Sequence, residues 1–261
     1  MESRVVPLYF PRGVDRFVAA GSSSFIGRLN DKAVLKYPRV AGEDWDRLIT
    51  EARIYKTLGS HPRIIACFGI DERGLKLEYA PKGTVRDLLR NSTCNEAIPR
   101  QDRLKYSRQA AEAVAYIHTK NVIHCDISTR NFLLDENLDL KLSDFQGVSV
   151  EPDGRIINGY AVENVKSYLP RPQNHSDIKS DLFALGTAIY EIMTGHEPFP
   201  ELDEDIDEEE IERRYKEGSF PSVNGVLGGQ IIRKCWELVY DNAATCVSDL
   251  VYLERVSAGD I

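Results

Sequence analysis

Residues 122–134 read VIHCDISTRNFLL, and residues 142–147 read LSDFQG. The two stretches contain a carboxylate, Asp126, an amide five residues later, Asn131, and a second carboxylate, Asp144, 18 residues after the first. Mg²⁺ is a hard cation that takes oxygen ligands, and Asn131 and Asp144 supply such oxygens. Asp126 is then left to accept or orient a hydroxyl proton. The pattern is suited to magnesium-dependent phosphate chemistry.

This pair of motifs resembles the eukaryotic protein kinase family, whose catalytic loop reads H-R-D-x-x-x-x-N and whose metal loop reads D-F-G. The member is divergent, because the loops here read H-C-D and D-F-Q-G. Upstream, residues 33–36 (AVLK) resemble the family's V-A-I-K strand, which ends in Lys36, and Glu51 follows fifteen residues later. Downstream, residues 180–195 are similar to the family's large-lobe helix. There the resemblance implies that Asp181 holds the backbone of the catalytic loop.

Apolar periodicity predicts a small sheet followed by a larger helical region. The expected strands are 16–20, 24–29, 32–37, 64–68 and 75–79, and one helix spans 43–58. The expected later helices are 84–90, 100–120, 177–194, 207–217 and 231–240, with short strands at 132–134 and 140–143. Together with the resemblance, this order implies an α+β, bilobed, protein kinase-like fold. Residues 1–79 are expected to form a lobe with a five-stranded antiparallel sheet and one helix, and residues 80–261 a mainly helical lobe, together one kinase domain.

The resemblance also implies a binding site for ATP and Mg²⁺. Only Gly21 matches among the three glycines of the family's phosphate loop, although neighbouring serines would donate hydrogen bonds to phosphate. By position, the implied ATP-binding residues are Gly21, Ser22, Ser23, Ile26, Val34, Lys36, Leu77, Glu78, Ala80 and Leu133. The implied metal ligands are Asn131 and Asp144. The implied catalytic residues are Asp126, Lys36, Glu51 and Arg130.

The chain departs from the family pattern in the catalytic loop and in the activation segment, the stretch between D-F-G and A-P-E, here residues 144–171. Cys125 replaces an arginine that in kinases typically pairs with a phosphorylated loop, which suggests activity without loop phosphorylation. We therefore expect turnover to stay nearly unchanged when Ser149, Tyr160, Ser167 or Tyr168 is mutated singly, and a loss above tenfold in a folded variant would contradict this. Residues 169–171 (LPR) stand where the family has A-P-E, and the usual arginine partner is missing from residues 240–245. Losing both members of a buried ion pair can be nearly neutral, so this departure does not argue against a folded chain.

Three functions are consistent with these residues. The leading one is an ATP-dependent protein kinase that transfers the γ-phosphate to a protein hydroxyl, with serine or threonine favoured over tyrosine. The sequence signature for the acceptor is mixed. Ser128 stands two residues after Asp126, where serine/threonine kinases usually have a lysine, and Arg130, four residues after Asp126, is more typical of tyrosine kinases. A pseudokinase acting as a binding or scaffold module is the first alternative, motivated by Gln146 and the reduced glycine loop. An atypical or small-molecule kinase of the same superfamily is the second.

Composition restricts the partners further. A formal net charge of −8 weighs against binding to nucleic acid or to an anionic membrane surface. Much of this charge lies in residues 201–218, which hold ten acidic and three basic residues, either as a solvated face or as a site for basic partners. The five cysteines are scattered and no secretory leader or 18-residue apolar run is present, which predicts an intracellular protein, cytoplasmic or nuclear. A protein substrate is the expected partner, and the oligomeric state stays open.

Overall fold

The first lobe is built on a five-stranded antiparallel sheet. The computed structural model describes residues 9–21, 23–40, 43–151, 153–171 and 175–259. Its strands run in the order β1-β2-β3-β5-β4. Their bounds are Arg16–Ala20 (β1), Ser24–Asn30 (β2), Ala33–Pro38 (β3), Cys67–Asp71 (β4) and Gly74–Glu78 (β5). The central strand β3 is buried along its whole length, which places Lys36 inside the molecule.

One helix, α1 (Trp45–Leu58), packs against this sheet. Leu48, Ile54 and Leu58 form its buried apolar side, and Glu51 lies on the same side. The helix ends at Gly59, whose φ of 68° is readily adopted by glycine and whose N–H donates to the Tyr55 carbonyl. Burial of the apolar side therefore turns Glu51 toward the sheet.

The second lobe is mainly helical. Its helices are α2 (Val85–Arg90), α3 (Ser92–Ala97), α4 (Arg100–Thr119), α5 (Ile178–Thr194), α6 (Glu208–Lys216), α7 (Gly229–Trp236) and α8 (Ala243–Ala258). The short strands are β6 (Val122–Ile123), β7 (Phe132–Leu134), β8 (Leu140–Leu142), β9 (Val148–Val150) and β10 (Ile156–Asn158). Helix α5 is buried nearly all round and packs against α4 and α7. The predicted α+β class, with a five-stranded antiparallel sheet and a larger helical part, is confirmed.

Some predicted element bounds were wrong. The apolar pair Ile64 and Ile65 does not start the fourth strand, because Ile65 donates its N–H to the Leu142 carbonyl at 3.0 Å and so joins the helical lobe. Helix α7 ends at Trp236 rather than at residue 240, and α8 was not predicted at all. Its N-terminal cap, Asn242, accepts a hydrogen bond from the Thr245 N–H at 3.0 Å, a start signal present in the sequence. None of the described helices is long and apolar enough to cross a membrane.

Candidate active site

Three charged side chains meet between the two lobes. The Lys36 ammonium lies 2.6 Å from Glu51 Oε2 and 2.5 Å from Asp144 Oδ1. Lys36 and Glu51 are buried, and burial alone would lower the pKa of the lysine, but the two carboxylates raise it above its ordinary value. Burial raises the pKa of Glu51, whereas the contact with Lys36 lowers that of Asp144 against the effect of burial. Lys36 is therefore a fixed positive charge held by strand, helix and loop together.

A buried aromatic ring links helix α1 to the catalytic loop. Phe145, fully buried, packs edge to face on Tyr55 of α1 at 4.9 Å between ring centroids and on His124 at 5.2 Å. His124 Nε2 lies 2.9 Å from the Ser143 carbonyl oxygen, which requires the proton on that nitrogen. Burial lowers the pKa of His124, so the ring stays neutral in this packing. Phe145 thus connects the position of Glu51 to that of the catalytic loop.

Asp181 of helix α5 holds the catalytic loop by accepting hydrogen bonds from its backbone. The buried Asp181 carboxylate accepts hydrogen bonds from the backbone N–H groups of His124 at 2.8 Å and Cys125 at 3.0 Å, and it lies 2.9 Å from His118 Nε2. Cys125 has a φ of 65°, which a non-glycine side chain adopts at a cost. These hydrogen bonds to Asp181 stabilise this backbone conformation, as the family resemblance implies.

Asp126 and Asn131 lie side by side in the catalytic loop, with Asn131 buried and Asp126 partly buried. Asn131 Nδ2 donates to both the backbone oxygen and Oδ2 of Asp126, each at 2.8 Å. Burial raises the pKa of Asp126 to about 7, opposed by the bond from Asn131. A carboxylate with this pKa is suited to accept a proton near neutral pH.

The donor set fits a magnesium ion. With Asn131 Nδ2 occupied by Asp126, its Oδ1 accepts no hydrogen bond from the described residues and is available to a hard cation. Asp144 uses Oδ1 for Lys36 and Gln146, and Oδ2 takes no hydrogen bond from those residues. Within the described part of the chain, no three His, Cys, Asp or Glu side chains gather as a metal cluster. Mg²⁺ typically binds few protein oxygens and completes its shell with phosphates and water, so the oxygens of Asn131 and Asp144 suit it.

A cavity of about 340 Å³ opens above these residues, between the sheet and the helical lobe. It is lined by the predicted residues Gly21, Ser23, Ile26, Val34, Lys36, Leu77, Glu78, Ala80 and Leu133, and by Glu51, Arg130, Asn131 and Asp144. Ser22 lies outside the described residues. The Ala80 N–H donates to no acceptor among the residues described, whereas the Glu78 N–H is used by the Ala66 carbonyl at 2.8 Å. The cavity therefore offers apolar walls, one free backbone donor and, at its inner end, a buried cation.

A family model described as protein tyrosine and serine/threonine kinase matches residues 30–245. The chain belongs to this family. Serine/threonine-protein kinase STE11 of Saccharomyces cerevisiae is 30% identical over 212 residues, which cover 75% of this chain and 28% of the yeast protein. Tyrosine-protein kinase ABL2 of Homo sapiens is 30% identical over 206 residues, covering 74% of this chain and 17% of the human protein.

Tyrosine-protein kinase csk-1 of Caenorhabditis elegans is 28% identical over 211 residues, covering 76% of this chain and 39% of the worm protein. The chain therefore spans well under half the length of these three relatives. Because they include both serine/threonine and tyrosine kinases, similarity alone does not separate the two acceptor classes.

Several cavity residues were not predicted from the sequence, among them Ile65, Thr84, Asp87 and Gln146. Thr84 and Asp87 form a reciprocal capping box at the start of α2. Their T-x-x-D spacing is the sequence signal that predicts this helix start. Gln146, in place of the D-F-G glycine, donates from Nε2 to Asp144 Oδ1 at 3.0 Å. Gly147 is the residue that must be glycine, since a Cβ there would lie 2.1 Å from the Ile123 carbonyl oxygen.

Arg130 lines this cavity, whereas Asp126 lies outside its lining. Arg130 lines the cavity mouth, and its guanidinium makes an ion pair with Glu204. Glu204 also accepts a hydrogen bond from Asn164 at 2.8 Å. Asp126 lies instead in a crevice with Cys125 and Glu163. The crevice that contains Asp126 is therefore formed in part by Glu163 and its neighbours Asn164 and Ser167.

Proposed function

We propose that the chain is an ATP-dependent protein kinase that uses Mg²⁺. The observation that carries this proposal is the assembled set of Lys36, Glu51 and Asp144 at the inner end of an apolar cavity. In kinases the lysine–glutamate pair and the metal-binding aspartate must both be in place for phosphoryl transfer. A scaffold that only binds a partner does not need this buried charge set.

The residues divide the work as follows. Lys36, oriented by Glu51, would hold phosphate oxygens by its fixed positive charge. Asn131 and Asp144 would hold Mg²⁺, which when bound neutralises charge on the transferring phosphoryl group. Asp126 would orient the attacking hydroxyl and accept its proton. The transfer is then in line, with the hydroxyl oxygen forming a bond to the γ-phosphorus as the bond to the β-phosphate oxygen breaks.

The proposal extends to serine or threonine as acceptor. Arg130, the residue more typical of tyrosine kinases, is engaged by Glu204 rather than left free beside Asp126. This contact supports a site that does not use Arg130 to bind an acceptor ring.

The decisive experiment is transfer of labelled phosphate from ATP to generic protein substrates. Wild type is compared with Lys36→Met and Asp126→Asn, and Lys32→Met on the exposed end of the same sheet is the matched control. We expect both site variants to lose at least about 10²-fold in rate and the control to keep wild-type activity. Phosphoamino-acid analysis of the products then separates serine and threonine from tyrosine.

The pseudokinase alternative has a different outcome in the same experiment. Nucleotide would raise the melting temperature of wild type, because a ligand bound only by the folded state stabilises it, yet no transfer would occur. Transfer to a small molecule but to no protein would instead favour the second alternative.

A further inference from the structure

The activation segment of this chain lacks the usual charged contact to the catalytic loop. Cys125 occupies the arginine position and is buried, and its Sγ lies 3.6 Å from the Ile123 carbonyl oxygen. A thiol so placed provides no positive charge to receive a phosphate group. If the segment is to hold a fixed shape beside Asp126, other contacts must supply it.

An ion pair within the segment supplies one such contact. Arg171, which stands at the glutamate position of the family's A-P-E element, lies 2.5 Å from Glu163 Oε2. The Arg171 guanidinium also donates to the Leu169 carbonyl at 3.1 Å and to Ser176 Oγ at 3.2 Å. Its central carbon lies 4.9 Å from the centroid of the Tyr168 ring. A positive charge therefore stands where A-P-E has a negative one, and its partner, Glu163, lies eight residues earlier in the chain.

Both members of the pair are largely shielded from water, with 11% of the Arg171 side chain and 16% of the Glu163 side chain exposed. Salt screens a shielded pair less than a surface pair, so it can hold a defined geometry. Removing one member leaves the other charge unpaired in a shielded site, which is strongly unfavourable.

The pair lies where an acceptor must approach. Glu163 lines the crevice that contains Asp126, and it also lines a cavity of about 720 Å³ between the activation segment and α6. The residues that follow Glu163 are held without phosphate as well: Lys166 Nζ lies 3.1 Å from Glu197, and Tyr215 donates to the Lys166 carbonyl at 2.6 Å. Glu163 and Arg171 thus join the acceptor side of the site to the end of the segment.

We infer that the Glu163–Arg171 ion pair positions the acceptor side of the active site, so that this kinase works without a phosphate on its activation segment. The inference rests on the proposed function. Glu163 and Arg171 are positioning residues, since neither lines the nucleotide cavity.

The test uses Glu163→Gln, Arg171→Gln and the charge swap Glu163→Arg with Arg171→Glu. The matched control is Glu151→Gln with Arg155→Gln, which removes an ion pair of 2.8 Å from the same segment, with 75% of the Arg155 side chain exposed. Steady-state kinetics give KM for a protein substrate and KM for ATP separately. Amide hydrogen exchange of residues 160–168, compared with helix α5, reports the order of the segment independently of activity.

We expect each single variant to raise KM for the protein substrate at least about tenfold, with KM for ATP changed less than about twofold. The charge swap should restore the protein-substrate KM to within about threefold of wild type, because a swapped pair keeps its complementarity. The exposed control should leave both constants unchanged within about twofold. Exchange at 160–168 should accelerate in the single variants and not in α5.

Other outcomes overturn the inference. Equal effects on both KM values, an equal effect of the exposed control, or a folded charge swap that stays as impaired as the single variants would each do so. Phosphatase treatment that lowers the wild-type rate more than about twofold would show that phosphate is needed. If wild type binds nucleotide but transfers no phosphate, the proposed function fails, and hydrogen exchange alone decides whether the pair orders the segment.

Discussion

The nucleotide cavity and the activation segment depart from the kinase family pattern to different degrees. In the cavity, Lys36, Glu51, Asn131 and Asp144 all match the family motifs, whereas the glycine loop and Gln146 differ. Along the side that faces Asp126 the changes are more numerous: H-R-D has become H-C-D in the catalytic loop, and in the activation segment D-F-G has become D-F-Q-G and A-P-E has become L-P-R. The cavity must match phosphate and Mg²⁺, whose chemistry is fixed, so its charged groups have few substitutes.

The side chains of the activation segment need to be complementary only to other parts of the same chain. A contact between two side chains can be replaced by any pair that is complementary in charge and shape, as Arg171 and Glu163 replace the family's pair. The same holds for glycine: Gly147, one position late, provides the close backbone approach that the motif requires. Internal contacts therefore vary in identity, whereas the charged residues expected to contact the ligand do not.

The largest effect should come from the cavity. Glu51→Gln keeps the size of the side chain but removes the charge that orients Lys36. A misplacement of about 1 Å in a positioned group costs on the order of 10²-fold in rate, which is the loss we expect. Initial rates of phosphate transfer measure it. Asp15→Asn, which breaks an exposed ion pair with Arg28 on the same sheet, is the control. A comparable loss of rate in that variant would show that the effect is not specific to the cavity.

The next effect should appear in stability. Asp181→Asn leaves one oxygen for the N–H groups of His124 and Cys125 and for His118, and it points an amide donor at another donor. Hydrogen bonds to charged groups contribute about 1.5–3 kcal/mol each, so we expect a loss of about 3 kcal/mol in the free energy of unfolding. Denaturant titration followed by circular dichroism checks this. An unchanged midpoint would mean that the loop does not depend on Asp181.

A pair of glycine substitutions tests the shifted motif. Gly147→Ala would place Cβ 2.4 Å from the His124 carbonyl oxygen, so the backbone must move, at a cost of about 1–3 kcal/mol. Gly154→Ala meets no atom within 4 Å and carries only the cost of its φ of 81°, about 1 kcal/mol. Melting temperatures compare the two. Equal shifts would show that close approach at Gly147 is unimportant.

Cysteine labelling tests whether Cys125, which stands at the family's arginine position, is a buried and neutral thiol. Burial, reinforced by the Asp181 carboxylate, raises the pKa of Cys125 to about 12. Only the thiolate reacts, so at pH 8 about one thiol in ten thousand is reactive, and labelling should rise about tenfold per pH unit up to pH 10. Mass spectrometry after iodoacetamide treatment follows Cys125 against the exposed Cys94. Equally fast labelling of both at pH 8 would contradict the packing.

The smallest effect should come from the hydroxyl groups of the activation segment. Ser149 and Ser167 are buried, whereas Tyr160 is 70% exposed and is the most accessible of the four to a modifying enzyme. Tyr160→Phe should change turnover less than about twofold, since the ion pair rather than a phosphate holds the segment. Substitution of Ser149, Ser167 or Tyr168 should stay within the tenfold limit. A larger loss from any of them in a folded variant would contradict phosphorylation-independent activity.

The sequence predicts the cavity better than the segment for a physical reason. Lys36, Glu51 and Asp144 are placed by regular elements, a strand, a helix and a strand end, whose periodicity is visible in the sequence. Arg171 and Glu163 meet across an irregular loop, where no periodicity relates the two positions. Similarly, Ile64 and Ile65 have the composition of a strand, but the hydrogen bond from the Ile65 N–H to Leu142 of β8 outweighs that preference. The final helix was missed although its Asn242 cap was visible.

The buried ring of Phe145 affects how often helix α1 moves away from the catalytic loop. Because the ring packs between Tyr55 of α1 and His124 of the catalytic loop, α1 cannot move outward without exposing it or leaving a void. Vacating a site of this size costs about 3–5 kcal/mol unless another side chain fills it. Such a penalty keeps the displaced form below about 1% of molecules at equilibrium. In the absence of a partner that pays this cost, the chain rests with Glu51 turned inward.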